Sequence, residues 1–359
     1  MIKSFILNKY LAIEYLKIVL NTSLIFFCFG FIINIFEEIN FFKDYDISIY
    51  LPLLMSALFV PSMLYEMFPF TILISGIWFF LKLRRTDEII AIKISGLSNF
   101  SVILIPSILS VVLGIIFITG FNPITSTLVK KYETIKGSYE KDQEYLAAIT
   151  ENGIWIKEKN NIIRSLKLKK QSLIDLTIYE FDSDNNFKRR IQADSANIKS
   201  LTWVLKNVSI IGADGNIIFS NEEILKYKST YNLEKIKNLY SNLNTISFWN
   251  LDNEIKLLDE KGYSTRELRA KLQKSLSFPF FLLSMVFLSA VFTLGIRFKE
   301  NSWIYVFIAI GASVLIFYFN DFSAALGKTE KLPVKLSIWM PLLIVFIFSS
   351  IGLIHANQR

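Results

Sequence analysis

The chain has 359 residues, of which 52% are hydrophobic and 32 are Phe, and its mean hydropathy is +0.42. Uncharged runs of bilayer-spanning length add to that composition, exclude an ordinary soluble enzyme and define an integral membrane protein. A net charge of +8 spread along loops without a dense basic run argues against nucleic-acid binding, and a single cysteine, Cys28, excludes an internal disulfide framework.

Lys3, Lys9, Glu14 and Lys17 precede the first apolar run, and no small-residue cleavage site follows it. The run 18–36 therefore reads as an uncleaved first span. Glu37, Glu38, Lys43, Asp44 and Asp46 then form a net acidic loop. Between 47 and 81 only Glu66 is charged, although Pro52, Pro61 and Pro69 interrupt the segment. Lys82, Arg84, Arg85 and Lys93 belong on the cytoplasmic side with Lys3 and Lys9, which requires 47–81 to cross once. Glu66, close to Pro69, is an ionisable group in or at the edge of the membrane and a functional suspect on that ground.

A short charged island follows at 84–98. Thr86 is placed to cap a helix whose first turn carries Asp87 and Glu88; Ile89, Ile92 and, one turn along, Leu97 recur at helical spacing, and Gly96 is a ready stop. The result is a helix of about nine residues, roughly 13 Å long, too short to be stable unless it packs against a partner. The third span, 98–121, is expected to end at Asn122-Pro123, and 124–150 reads as an amphipathic lead-in.

From about 152 to 245 the period changes to two. Gly153 to Lys157, Ile162 to Arg164, Leu173 to Phe181 (with Ile174, Leu176 and Ile178 on one face), Trp203 to Ile211 and Ile217 to Phe219 read as strands, with Asp214-Gly215 as a hairpin turn. Strands at this spacing point to an all-β sandwich or jelly roll. The acidic run 182–186 resembles a calcium loop, but Phe187 and Ala193 stand where Gly and Glu are required, so it reads as a turn. A helix over 247–261 with Ser247 as cap and Gly262 as stop leads to a capping box, Ser264-Thr265-Arg266-Glu267. Span four is 275–296, followed by a tight turn at Arg297, Lys299 and Glu300. Span five is 301–320, an outer loop covers 321–335, and span six is 336–354.

Catalytic motifs are missing. Gly327-Lys328-Thr329 ends like a phosphate-binding loop, but Phe322 occupies the position of its first Gly, and His355 is the only histidine. Any ATP-driven work must be supplied by another subunit.

The chain resembles the LptF/LptG permeases of the lipopolysaccharide export ABC transporter over nearly its full length. Thr86-Asp87-Glu88-Ile89 and Ile94-Ser95-Gly96-Leu97-Ser98 resemble that family's coupling helix, and Phe68-Pro69 resembles its Phe-Pro in span two. Gly153-Ile154-Trp155-Ile156-Lys157, Leu176-Thr177-Ile178-Tyr179, Ser247-Phe248-Trp249, Gly262-Tyr263-Ser264 and Phe278-Pro279 look more like the LptG branch.

The resemblance implies six transmembrane α-helices with a periplasmic β-jelly-roll-like domain inserted between spans three and four. Spans one to three fall in 1–129 with the coupling helix at about 86–96, the β domain with flanking helices in 130–262, and the remaining spans in 263–359. It also implies an LptF-like permease, an LptB-like ATPase dimer holding ATP and Mg, and an LptC-like single-span protein as partners. The cargo is lipopolysaccharide taken from the outer leaflet of a Gram-negative inner membrane, with no cofactor and no catalysis in this chain itself. Arg84, Arg85, Asp87, Glu88, Ile89, Ile92 and Lys93 then couple to the ATPase, and Glu88→Lys is expected to break that association. Phe26, Phe29, Ile33, Asn34, Lys43, Glu66 and Phe317 are assigned to the substrate path. The basic residues the family carries near the outer end of span one are not matched, since Asn34, Glu37, Glu38 and Asn40 stand there and only Lys43 is basic. An LptF-type subunit, or a membrane-anchored scaffold that moves nothing, are the alternatives.

Overall fold

The computed structural model describes residues 5–96, 98–139, 145–150, 153–158, 160–169, 171–182, 186–231, 236, 243–260, 265–294, 302–329 and 331–357. They form two compact units. A helical unit takes in the chain up to Tyr132, residues 244–249 and everything from Arg269 on, and a second unit holds 133–243 and 250–268.

Helix α1 (Phe5–Phe41) is far longer than its apolar run, because Glu14 finds Lys82 on α2 (Tyr50–Arg85) and the Tyr15 hydroxyl shares a hydrogen bond of 2.8 Å with Ser110. Charge parity asked for a single crossing over 47–81, and α2 is one helix with Pro61 and Pro69 inside it. Neighbouring helices make such prolines tolerable by covering the carbonyls they leave unbonded. The short helix α3 (Glu88–Ile94) leads to α4 (Asn99–Ile116).

Asn122-Pro123 does not end the third span. The helix widens into a π turn (Phe117–Phe121) and continues as α5 (Asn122–Tyr139), so the expected lead-in at 124–150 is largely the same helix carried on. A π turn gives Pro123 room where an α turn would press its ring on the carbonyl four residues back.

After the β region, a 3-10 turn (Phe248–Asn250) precedes α6 (Leu251–Glu260), which buries Leu251, Ile255 and Leu258 as its spacing requires. The Thr265 hydroxyl donates to Asp259 at 2.8 Å, and Ser264 and Gly262, the expected cap and stop, lie outside the described residues. Three more helices follow, α7 (Arg266–Leu294), α8 (Ser302–Lys328) and α9 (Val334–Asn357); the turn at Arg297 lies outside the described residues. The outer loop expected from 321 is instead helical as far as Lys328, and Asp321 in this stretch pairs with Lys274 at 2.8 Å. Six helices are long and apolar enough to cross a membrane, so the chain is a multi-pass membrane protein.

Small residues set the packing of the helical unit. A Cβ on Gly76 would lie 2.2 Å from the Ser289 hydroxyl, and one on Gly114 would lie 2.7 Å from the Cα of Pro279. Helices approach this closely in membranes because dispersion, not water exclusion, holds them together. Around these contacts Leu11, Ile72, Phe79, Phe80, Leu83, Leu282 and Val286 form a buried core.

The second unit contains one antiparallel sheet in the order β1 (Tyr145–Thr150), β2 (Gly153–Glu158), β3 (Asn161–Lys169), β4 (Ser172–Phe181), β5 (Phe187–Asn197), β6 (Thr202–Gly212) and β7 (Ile217–Lys228). The expected all-β domain is present, and among the described residues its strands follow one another as a meander. The alternation expected in β4 breaks at Asp175, which has φ 53°, so Leu173 and Leu176 are both buried while Ile174 is not. Asn207 on β6 has φ 54° and donates to Asp194 at 2.8 Å, and Asp175, Asp194 and Asn207 are all skipped in the pairing register. Asp and Asn tolerate the left-handed region better than other side chains, so this row makes a fold line across the sheet.

Curled along that line, the sheet encloses Trp203, whose indole donates to the Tyr231 carbonyl at 2.7 Å. The start of β3 meets the end of β7, where Asn161 donates to the Tyr227 hydroxyl at 2.9 Å. Burial pushes the Tyr227 phenol up to about 12, with Asn161 opposing the shift. Buried Glu158 accepts hydrogen bonds from Ser229 and from the Thr230 amide, and so closes the same seam.

Candidate functional site

Helix α3 has seven residues and two unlike faces. Ile89 and Ile92 are buried in the core that holds Phe79, Phe80, Leu83 and Leu11, whereas Asp87, Ile90, Ala91 and Ile94 are exposed. The exposed set recurs at three- and four-residue spacing and makes one stripe. Ile94 is 82% exposed and Ile90 42%.

Thr86 does not cap α3. It closes α2 instead, its one hydroxyl proton shared between the Lys82 carbonyl at 3.1 Å and the Glu88 carboxylate at 2.8 Å. The reversal of the chain falls on Asp87, whose φ of 57° is left-handed and whose carbonyl accepts the amides of Ile90 and Ala91. Gly96, at φ 82°, ends the segment as expected, and Leu97 lies outside the described residues.

The residues assigned to coupling therefore divide. Ile89 and Ile92 are turned into the chain's own core, because a seven-residue helix needs that burial to exist at all. Arg84 donates at 2.7 Å to the carbonyl of Thr293, in the last turn of α7, where a helix end favours positive charge. Glu88 is half-buried and faces Thr86 and the Tyr10 hydroxyl, with Lys82 nearby. Arg85 and Asp87 remain exposed. The outward apolar residues Ile90 and Ile94 were missed in the sequence, although their offset from Ile89 and Ile92 on a helical wheel was available.

About 25 Å from α3, counting 1.5 Å per residue, the third span meets α2 and α7. Phe117 of the π turn stacks on Phe68 at 3.7 Å between centroids, and Tyr65 stacks on Phe278 at 5.2 Å. The Phe-Pro pairs of α2 and α7 are thus brought to one level, with Phe68 and Phe278 6.5 Å apart.

The residues assigned to the substrate path do not form one site within this chain. Phe29 and Ile33 are exposed in a stripe with Ile25, Ile32 and Phe36, Phe26 is half-buried, and Lys43 is exposed beyond the end of α1. Phe317 is partly exposed on α8. Asn34 faces inward at 1% exposure, and its Oδ1 has no partner among the described residues. Glu66 is exposed and accepts a hydrogen bond of 2.8 Å from Asn244.

Glu38 was read as part of an acidic loop, yet it is 1% exposed, one turn beyond Asn34 on the buried face of α1. The Tyr132 hydroxyl donates to its carboxylate at 2.7 Å, and the Tyr132 ring lies 4.8 Å from that of Phe59. One carboxylate thus ties α1 to α5, and Phe59 brings in α2. Hydrogen bonds to buried charged groups contribute about 1.5–3 kcal/mol. Glu38→Leu is expected to lower the stability of the purified chain by about that much, Glu38→Gln by less because it still accepts from Tyr132. Tyr132→Phe combined with Glu38→Leu should cost little more than Glu38→Leu alone. Additive losses in thermal unfolding would show that the two side chains do not act as a pair.

The family model described as lipopolysaccharide export system permease LptF/LptG matches residues 9–355, nearly the whole chain. No curated protein matches it.

Proposed function

Because the chain belongs to the lipopolysaccharide export permease family LptF/LptG, we propose that it is the LptG-type permease of an ATP-driven lipid exporter. The two-faced α3 carries this reading. One face is anchored in the helical unit and the other displays Asp87, Ile90, Ala91 and Ile94 to a partner. Such a stripe suits docking into a groove of a soluble ATPase dimer, which holds the ATP and Mg. On this assignment α3 is cytoplasmic, the β unit is periplasmic, and the spans sit in the inner membrane of a Gram-negative cell.

A push on α3 has a direct route inward. Ile89 and Ile92 pass it to the core, and Arg84 passes it to the end of α7. The apolar stripes of α1 and α8 are left to face lipid acyl chains, an LptF-type permease and an LptC-type single helix. Lipopolysaccharide would enter between the two permeases and leave toward a β bridge. The motifs of β2, β4 and the approach to α7 favour the LptG branch over LptF.

Purification of the tagged full-length chain from its native membrane tests the assignment. The expected complex contains an ABC ATPase, a second six-span permease of LptF type and a single-span protein. A complex without an ATPase would leave only a scaffold, and a second permease of LptG type would exchange the two branches.

A further inference from the structure

We propose that residues 244–249 act as a strap that recognises the π turn of the third span, with Trp249 as its positioning residue. In a regular α-helix the amide of residue 123 would bond to the carbonyl of Thr119, but proline has no N–H to give. The helix widens instead, the Asn122 amide bonds back to Phe117, and the Thr119 carbonyl is left for another donor. Trp249 Nε1 donates to it at 3.0 Å. Next to it, the Asn122 side-chain oxygen accepts the Phe248 amide at 2.8 Å. Two consecutive residues of the strap thus read the two features that Pro123 creates, an open carbonyl and a displaced turn.

Two further bonds fix the strap to the flanking helices. Asn244 donates to Glu66 on α2 at 2.8 Å, and Lys271 on α7 donates to the Ile246 carbonyl at 2.6 Å. Glu66, suspected from its charge in the sequence, thereby acquires a role as an anchor for Asn244. The π turn is held from the other side by the stack of Phe117 on Phe68. A six-residue segment is therefore bonded to three spans, at Glu66 of α2, at the π turn of the third span and at Lys271 of α7. Any change in the π turn alters what Trp249 can bond, and the chain that follows Trp249 runs directly into α6.

The test uses the full chain in nanodiscs with Cys28→Ser and a single new thiol, Ser247→Cys, labelled by a maleimide. Trp249→Phe keeps an aromatic ring and removes the donor, so the labelling rate should rise about fivefold, the factor for one ordinary hydrogen bond. Pro123→Ala returns an amide to Thr119, which competes with the indole, and should raise the rate similarly. Combined, the two should be no faster than the faster single variant, because both break one bond. A thiol at Ser95→Cys, near α3, should label at an unchanged rate in every variant. An unchanged rate at position 247 in Trp249→Phe, a product of the two effects in the double variant, or a parallel rise at position 95 would each overturn the strap.

Discussion

Ile90→Asp combined with Ile94→Asp will leave the chain folded in the membrane and strip the ATPase from it. Both side chains point away from the chain's own core, Ile94 at 82% exposure and Ile90 at 42%, so their replacement removes little packing from the free subunit. Surface changes of this kind usually fall within about 0.5 kcal/mol. Docked in a groove, each isoleucine would bury enough apolar surface to contribute about 1.5–3 kcal/mol, so losing both removes about 3–6 kcal/mol of binding. That is about a hundredfold to ten-thousandfold in affinity, and the added carboxylates bring a desolvation cost as well. Binding of the purified ATPase to the variant in nanodiscs, set beside its thermal stability, measures both halves of the expectation. Retained ATPase binding would remove α3 as the docking element.

Ile89→Asp and Ile92→Asp form the contrast, because they place a charge in the core and should unfold the segment outright. Glu88→Lys, the first change the sequence points to, sits between these cases. It would set an ammonium near Lys82 and take an acceptor from Thr86, so a loss of ATPase binding there would report local damage as much as lost contact. The paired isoleucines are the cleaner probe.

What the sequence allowed to be read follows the range of the interactions involved. Charge-free runs of bilayer length found most spans because a bilayer demands nothing finer, and charge parity settled that 47–81 crosses once. Periodicity found β2, β4 and β6, but it assumed an unbroken pleat, and Asp175 breaks it by turning the strand over between Leu173 and Leu176. Strand β5, with Lys188, Arg189 and Arg190 at its start, has no apolar alternation there to be seen. Pro123 was taken as a stop because local rules price its lost hydrogen bond and cannot know that Trp249, far along the chain, supplies a donor. Thr86 was misplaced for a similar reason, since α2 runs to Arg85 and makes use of the hydroxyl first. Glu38 looked like any acidic loop residue because its partner, Tyr132, is 94 residues away.

The contact between α2 and α7 yields the other large expected effect. At Gly76 an added Cβ would stand 2.2 Å from the Ser289 oxygen and 2.8 Å from its Cβ, so Gly76→Ala forces the helices apart. Overpacking of this kind typically costs about 1–3 kcal/mol, and here it would also disturb the pairing of Arg84 with Thr293, one turn beyond Ser289. The obstacle at this position is wholly a side chain. Ser289→Gly removes both offending atoms, and the double variant should recover most of the loss in thermal stability and in transport. Gly114→Ala makes a different prediction, because its added Cβ meets the Cα of Pro279 at 2.7 Å. No side-chain truncation clears a backbone atom, so Leu282→Ala, which relieves only the contact at 3.3 Å, should fail to rescue it. If Ser289→Gly left Gly76→Ala as damaged as before, or Leu282→Ala repaired Gly114→Ala, the close approach of α7 to its two neighbours would not be what these glycines provide. If both outcomes hold, α7 is seated against α2 and α4 by backbone proximity, and the route from α3 through Arg84 into α7 rests on a stiff support.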